Sequence, residues 1–170
     1  MRDVRVFSGR ESLARAAANH IVEQAGLAIS GKKRFNLMLA GGSTPGAAYS
    51  LLASNRYSDQ IEWTRIFLFW GDERCVPPDH PDSNFRMVRE SLLNSVSIPS
   101  QNIHRIHGEI PPSESAVQYQ SELQRHFSVE EITGRFASFD LILLGMGADG
   151  HIASLFPHSP VLRERDNWVS

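Results

Sequence analysis

Short apolar runs alternate with helix-like stretches along most of the chain. Three of the runs, FNLMLA at 35–40, RIFLFW at 65–70 and FDLILL at 139–144, are apolar almost throughout rather than at every second position. Such runs are typical of strands that are covered on both faces of a sheet. They predict three buried strands, and the shorter runs at 4–7 and 103–106 predict two more.

Helical patterns separate these strands. A helix is predicted to begin at a capping box formed by Ser8 and Glu11 and to end at Gly31. A second helix is predicted to begin at 43–45. Three more are predicted to cover about 83–94, 112–127 and 151–156. Because strands and helices alternate, the expected fold is α/β: a doubly wound, mostly parallel sheet with helices on both faces, a Rossmann-like three-layer sandwich.

Length and composition limit the classes of protein to consider. The 170 residues suffice for one domain, 1–170, and the net charge of −2 with dispersed Lys and Arg argues against a nucleic-acid surface. No run approaches the roughly 18 apolar residues of a membrane span, and the N-terminus has no apolar signal core. The single cysteine, Cys75, excludes an intramolecular disulfide. These features predict a cytoplasmic protein with no nucleic-acid or membrane partner.

Polar, glycine-rich segments follow three of the predicted strands. They are GGSTP at 41–45, GDER at 71–74 and GMGADGH at 145–151. Ligands bind at the carboxyl ends of the strands in open parallel sheets, so these three loops are expected to meet at one site.

The first two loops have the composition of an anion site. Gly41 and Gly42 allow close approach of the backbone, while Ser43 and Thr44 offer hydroxyls and N–H groups at a helix N-terminus. An ordinary helix cap is the alternative, and the loop matches neither GxGxxG nor a Walker motif. In the second loop Arg74 is suited to a phosphate or carboxylate. The alternative there is that one carboxylate caps the following segment and Arg74 pairs with the other.

The third loop carries the candidate chemistry. A neutral His151 is a good general base near neutral pH, and it shares the loop with Asp149. A purely structural histidine is the alternative. The other histidines show no zinc-like spacing, and no metal ligands are predicted.

Together the three loops resemble the 6-phosphogluconolactonase family. The matching segments are LAGGSTP at 39–45, WGDERCVPPDHPDSNF at 70–85 and LGMGADGHIASLFP at 144–157. The related glucosamine-6-phosphate deaminases share this layout. They typically carry a tyrosine where this chain has Arg74 and an acidic residue where it has Phe156, so both positions resemble the lactonases.

The resemblance implies hydrolysis of 6-phospho-D-glucono-1,5-lactone to 6-phospho-D-gluconate in the oxidative pentose phosphate pathway, without a metal or organic cofactor. The implied catalytic residues are His151, Asp72 and Asp149. The residues expected to bind the sugar phosphate are Gly41, Gly42, Ser43, Thr44, Arg74 and Arg86. Family members continue for some tens of residues beyond a segment like RERDNWVS at 163–170, so the chain is expected to be truncated there, with a last strand near Trp168 cut short. The full-length protein is expected to be a monomer.

Two other functions remain open from the residues. A sugar-phosphate isomerase or deaminase would use Asp72 to move a proton between C1 and C2 of an open-chain sugar. A sugar-phosphate sensor would need only the phosphate loop, and the presence of both Asp149 and His151 argues against it.

Overall fold

A four-stranded parallel sheet forms the centre of the molecule. The computed structural model describes residues 3–127, 132–133 and 136–170. The sheet has the order β3-β2-β1-β6, and its strands are β1 Phe35–Leu39, β2 Ile66–Trp70, β3 Ile103–His104 and β6 Leu141–Ile142. A separate antiparallel pair consists of β4 Ile132–Thr133 and β5 Phe136–Ala137.

Helices cover both faces of this sheet. They are α1 Arg10–Lys32, α2 Ser43–Leu52, α3 Asn55–Ser58, α4 Asn84–Ser91 and α5 Pro112–His126, with 3₁₀ turns at Trp63–Arg65, Leu93–Ser95, Ser100–Asn102 and Pro160–Arg163. Helices α1, α2 and α4 contribute to one core cluster and α5 to another. The α/β three-layer prediction is therefore confirmed. Among the helices that the structure describes, none is both long and apolar enough to cross a membrane.

The central strands contribute side chains to both core clusters, because successive side chains of a strand point to opposite faces of the sheet. Leu68 and Trp70 of β2 belong to the larger cluster with α1, α2 and α4, whereas Phe69 packs with Tyr119 and Leu123 of α5. All three β2 residues are at most 1% exposed. The apolar run at 65–70 is thus explained by burial on both faces.

Two buried tyrosines close the ends of the central strands. The Tyr49 hydroxyl accepts a hydrogen bond from the backbone N–H of Ala40 at 3.1 Å and donates to its carbonyl at 3.0 Å. The Tyr119 hydroxyl makes the same pair of bonds with Trp70, both at 3.0 Å. Burial raises the pKa of both phenols. Each hydroxyl satisfies two backbone groups at the point where a strand gives way to a polar loop.

The strand order places a crevice at one end of the sheet. The chain adds β2 and β3 on one side of β1, whereas β6 pairs with β1 on the other side, with Leu37 opposite Leu141. This reversal creates a topological switch point at the carboxyl ends of β1 and β6, where parallel sheets place their ligands.

Several local predictions are wrong at the N-terminus. Residues 4–7 form no strand, and Val4 and Val6 are 84% and 91% exposed, because they pair with none of the described strands. Helix α1 begins after Gly9, whose N–H donates to Ser12 Oγ at 3.2 Å, rather than at the Ser8–Glu11 box. It continues through Gly31 and ends at Lys32, and the next residue, Lys33, caps it with a left-handed φ of 67°.

The last third of the chain also departs from expectation. The run at 139–144 forms a strand only at Leu141–Ile142, and Ile142 and Leu144 are 46% and 62% exposed, so this edge strand is not covered on both faces. Residues 151–156 form a turn instead of a helix, because Ile152 and Leu155 are joined by an isolated β-bridge. No strand forms near Trp168, whose N–H donates to Gln120 Oε1 at 2.8 Å.

Candidate active site

The three polar loops line one cavity at the carboxyl ends of β1, β2 and β6. Its volume is about 370 Å³. The candidate residues on its wall are Gly41, Gly42, Ser43, Thr44, Asp72, Arg74 and His151, joined by Asn84 and Gly147. The expectation that these loops meet is therefore confirmed.

The loop after β1 presents the uncapped N-terminus of α2 to this cavity. Gly42 precedes the helix with a φ of 97°, a conformation that favours glycine, and no side chain caps the helix. Ser43 and Thr44 form the first turn and line the cavity. Backbone N–H groups at such a terminus, together with the helix dipole, favour an anion.

Arg10 adds a positive charge beside this terminus. Its Nη2 donates to Ser43 Oγ at 2.5 Å, and none of the residues that the structure describes forms an ion pair with it. A guanidinium next to the positive end of a helix is repelled unless an anion lies between them. Arg74 lines the cavity itself, whereas Arg10 reaches it only through Ser43, and no ion pair of the Arg74 side chain is found within the described ranges. The two arginines and the helix N-terminus thus suit a dianionic phosphate.

The loop after β2 is held in place by Glu73. Its carboxylate accepts hydrogen bonds from the N–H groups of Arg74, Asn84 and Phe85 at 2.7–2.8 Å and from the Ser83 hydroxyl at 3.2 Å. Glu73 therefore caps α4, which is the role that the alternative interpretation of the sequence gave to one of the two carboxylates. The other half of that alternative, an ion pair between Arg74 and the second carboxylate, is not seen among the described contacts.

Asp72 turns towards the cavity instead. Its Oδ2 accepts a hydrogen bond from the Ser154 hydroxyl at 2.8 Å, and the Asn84 side-chain amide lies 3.4 Å from its Oδ1. The carboxylate therefore bridges the loop after β2 and the turn that follows His151.

His151 is oriented by its own loop. Its Nδ1 lies 2.5 Å from Asp149 Oδ1, and this hydrogen bond, supported by the His151 backbone N–H, lowers the pKa of Asp149. An ionised carboxylate only accepts, so Nδ1 carries the proton and Nε2 keeps the lone pair that a base needs. Phe156 stacks on the imidazole with a centroid distance of 4.6 Å, and the imidazole occupies the space that a side chain at Gly147 would fill.

Two predicted site residues do not line this cavity. Asp149 reaches it only through its contact with His151, and Arg86 lies beside it. Its Nε donates to Glu90 at 2.7 Å and its Nη1 to the Asp79 carbonyl at 3.0 Å. It lines a neighbouring surface groove that also reaches Ser43.

Comparison with known proteins agrees with this geometry. A family model described as glucosamine-6-phosphate isomerases/6-phosphogluconolactonase matches residues 8–170. The chain belongs to this family. It is 39% identical over 170 residues to a 6-phosphogluconolactonase from Nostoc sp., covering 99% of this chain and 68% of the relative. It is 45% identical over 144 residues to one from Synechocystis sp., covering 84% of this chain and 58% of the relative.

Solved structures of the family share the fold. The structure of 6-phosphogluconolactonase from Trypanosoma brucei superposes with a TM-score of 0.84 at 33% identity, covering 99% of this chain and 68% of that one. A monomeric glucosamine-6-phosphate deaminase superposes at 0.73 with 20% identity, a similarity in fold alone, and covers 89% of this chain and 58% of that one. The chain spans about half to two thirds of the length of the curated relatives it matches.

Sequence reasoning missed three residues that contact predicted site residues of this family member. They are Arg10, Asn84 and Ser154. Asn84 and Ser154 fall inside the segments quoted for the resemblance, but nothing in their spacing shows that both reach Asp72. Arg10 lies outside the three polar loops, at the start of α1, so only the fold brings it to Ser43. In the part of the chain that the structure describes, no three His, Cys, Asp or Glu side chains are grouped as metal ligands.

Proposed function

We propose that this chain carries the active site of a 6-phosphogluconolactonase, which hydrolyses 6-phospho-D-glucono-1,5-lactone to 6-phospho-D-gluconate in the oxidative pentose phosphate pathway. One observation carries the proposal. An oriented histidine, His151, lines the same cavity as an uncapped helix N-terminus with a guanidinium. A base and a phosphate site in one cavity are what a sugar-phosphate lactone requires.

The reaction needs one base that later serves as an acid. In the proposed mechanism His151 Nε2 takes a proton from a water molecule whose oxygen attacks C1 of the lactone. The tetrahedral oxyanion is stabilised by the backbone N–H groups of Gly41 and Gly42 or by Arg74. The bond between C1 and the ring oxygen then breaks, and the imidazolium returns its proton to that oxygen. Asp149 holds the protonated Nδ1 throughout, as its 2.5 Å contact suggests.

The 6-phosphate is assigned to the N-terminal end of α2. Ser43 and Thr44 at the start of α2, together with Arg74, are the proposed ligands, and Arg10 supports them through Ser43. Arg86 remains a predicted ligand; its present partners are Glu90 and the Asp79 carbonyl, so it would have to leave Glu90 to reach a phosphate.

The direct test is turnover of two substrates by the protein. Hydrolysis of 6-phospho-D-glucono-1,5-lactone is followed by acid release after subtraction of spontaneous lactone opening, and deamination of glucosamine 6-phosphate by ammonia release. We expect the first activity and not the second, because Phe156 stands where the deaminases typically carry an acidic residue. Ammonia release without lactone hydrolysis would favour the deaminase instead, and phosphosugar binding without either reaction would favour a sensor.

The cellular setting stays a prediction. A cytoplasmic location and a monomeric full-length protein are expected, whereas two of the rice relatives are named as probable chloroplastic enzymes. Fractionation and sedimentation of the full-length gene product would test both.

A further inference from the structure

We propose that Ser154 and Asn84 are positioning residues that hold the Asp72 carboxylate in one orientation, so that Asp72 serves as a fixed acceptor for a substrate hydroxyl. The inference rests on the proposed function. It assigns roles to two residues and restricts the role of a third.

The contact from Ser154 spans two loops. Its hydroxyl donates to Asp72 Oδ2 at 2.8 Å, although the residues lie 82 positions apart in the chain. Ala153, directly before it, adopts a φ of 52°, a left-handed conformation that is unfavourable for alanine. Ser154 therefore reaches Asp72 from a strained turn only two residues after His151. The contact ties the loop that holds the base to the loop after β2.

Asn84 holds the same aspartate from the other side. Its Nδ2 donates to the Asp72 carbonyl at 3.0 Å and lies 3.4 Å from Oδ1. The side chain is only 4% exposed, and its backbone N–H is held by Glu73 at 2.7 Å. A Cβ at Gly41 would overlap with the Asn84 amide, so this amide also abuts the loop after β1. Asn84 is thus packed where two of the three loops meet.

The two contacts define what Asp72 can do. Each carboxylate oxygen receives a protein donor, and each retains a further lone pair for a hydroxyl of the ligand. The arrangement therefore fixes the directions from which the Asp72 carboxylate can accept a hydroxyl of the ligand.

A matched pair of variants isolates the Ser154 hydroxyl. Thr and Val have the same shape, but only Thr can donate to Asp72. Because Ser154 is exposed, both should fold, and unchanged thermal unfolding would verify this. We expect Ser154→Val to lower kcat/KM for the lactone about tenfold, as for loss of a hydrogen bond to a charged group, and Ser154→Thr to retain most of it. Ser121→Ala, which removes an exposed hydroxyl on α5, is the control and should have no effect.

A double-mutant cycle separates positioning from general support. If Ser154 acts through Asp72, the loss caused by Ser154→Val should disappear in an Asp72→Ala background, which leaves no side-chain acceptor for the hydroxyl. Additive losses would overturn the proposal. Asn84→Asp, which replaces the donor by an acceptor without changing shape, should show partial coupling, because its bond to the Asp72 carbonyl does not depend on the Asp72 side chain. Thermal unfolding checks the folding of this variant.

Measurement of product binding distinguishes a failure of the positioning roles from a failure of the proposed lactonase activity. The same cycle is measured on the Kd for 6-phospho-D-gluconate by calorimetry. Coupled losses in Kd would support the positioning roles even in a protein without turnover, an outcome that contradicts only the proposed lactonase activity. Uncoupled losses in both Kd and kcat/KM would overturn the positioning roles and leave the lactonase proposal intact.

Discussion

The two halves of the candidate site are built in different ways. Strands β1 and β2 end in a closed core, where Leu39 and Trp70 are 0% and 1% exposed and a tyrosine closes each strand. Strand β6 is an edge strand with two residues in the sheet, and Leu144 after it is 62% exposed. The anion-binding half therefore rests on the core, whereas the histidine rests on an exposed loop.

Specific contacts take the place of burial in the second half. The Gly147 N–H donates to the His151 carbonyl at 2.9 Å, and Asp149 orients the imidazole at 2.5 Å. Ser154 then ties the turn to Asp72. A loop with few buried contacts opens more easily than a core strand, so the position of the base depends on these individual bonds.

The largest effect is expected from removing the base. His151→Asn should lower kcat for the lactone by roughly 10²- to 10⁴-fold, the usual contribution of a general base, with a smaller change in KM. Because His151 lies on an exposed loop, the free energy of unfolding should stay within about 0.5 kcal/mol of the wild-type value.

Stopped-flow acid release, corrected for spontaneous opening, measures this effect. Asn167→Ala, a change on another exposed turn, is the control for the assay. Near-wild-type kcat in His151→Asn would remove His151 from the mechanism and leave the anion half as the whole site.

A core-side change should show the opposite signature. Tyr119→Phe leaves the N–H and carbonyl of Trp70 without their buried partner, so the free energy of unfolding should fall by about 1–3 kcal/mol. Tyr57→Phe is the control, because its hydroxyl makes one bond, to the exposed Asn19 side chain at 2.9 Å. Water can replace that bond, and a smaller loss is expected.

Chemical denaturation of both variants measures the difference. Equal losses for Tyr119→Phe and Tyr57→Phe would show that closing the strand end has no special weight. A loss of kcat in Tyr119→Phe as large as in His151→Asn would erase the contrast between the halves.

Predictability from sequence follows the same division. The runs at 35–40 and 65–70 predicted β1 and β2 closely, because burial on both faces leaves a continuous apolar pattern that local sequence records. The run at 139–144 has the same pattern but forms two residues of an edge strand. Its pattern records apolar character, and the number of neighbours that a strand finds depends on the rest of the fold.

The site was predictable as a set of loops and less so as a set of contacts. The alternation of strands and helices placed GGSTP, GDER and GMGADGH at one edge, and the cavity bears this out. The bonds from Arg10 to Ser43 and from Ser154 to Asp72 join positions 33 and 82 residues apart. No local pattern encodes such a pair. The sequence also predicted a helix at 151–156, whereas the bond from Ser154 depends on the turn that forms there instead.

Removal of a positive charge beside the N-terminus of α2 should have a moderate effect on activity. Arg10→Ala should raise the KM for the phosphorylated lactone about tenfold, because it removes a guanidinium beside Ser43. Arg15→Ala is the matched control: Arg15 lies on the same helix but is paired with Glu11 at 2.5 Å.

Substrate choice sharpens this test. Unphosphorylated gluconolactone lacks the group that Arg10 is proposed to support, so its kcat/KM should be the same in Arg10→Ala and wild type. Equal losses on the two lactones would place Arg10 in the scaffold, and losses in Arg15→Ala as large as in Arg10→Ala would point to the helix as a whole.

The smallest effect on stability, and a distinct effect on association, is expected at the exposed strand. Ile142, Leu144 and Met146 are 46%, 62% and 77% exposed along and beyond β6, where the sheet edge has no further described partner. An apolar edge strand promotes pairing between copies of a chain. Ile142→Lys should therefore shift the 170-residue chain towards monomer, while the free energy of unfolding changes by at most about 0.5 kcal/mol.

Sedimentation velocity over a concentration series measures the shift, with Val117→Lys, at a 67% exposed position on α5, as the control for added charge. If both variants sediment as wild type does, the β6 edge is not an association surface, and the contrast between the two halves is confined to the site.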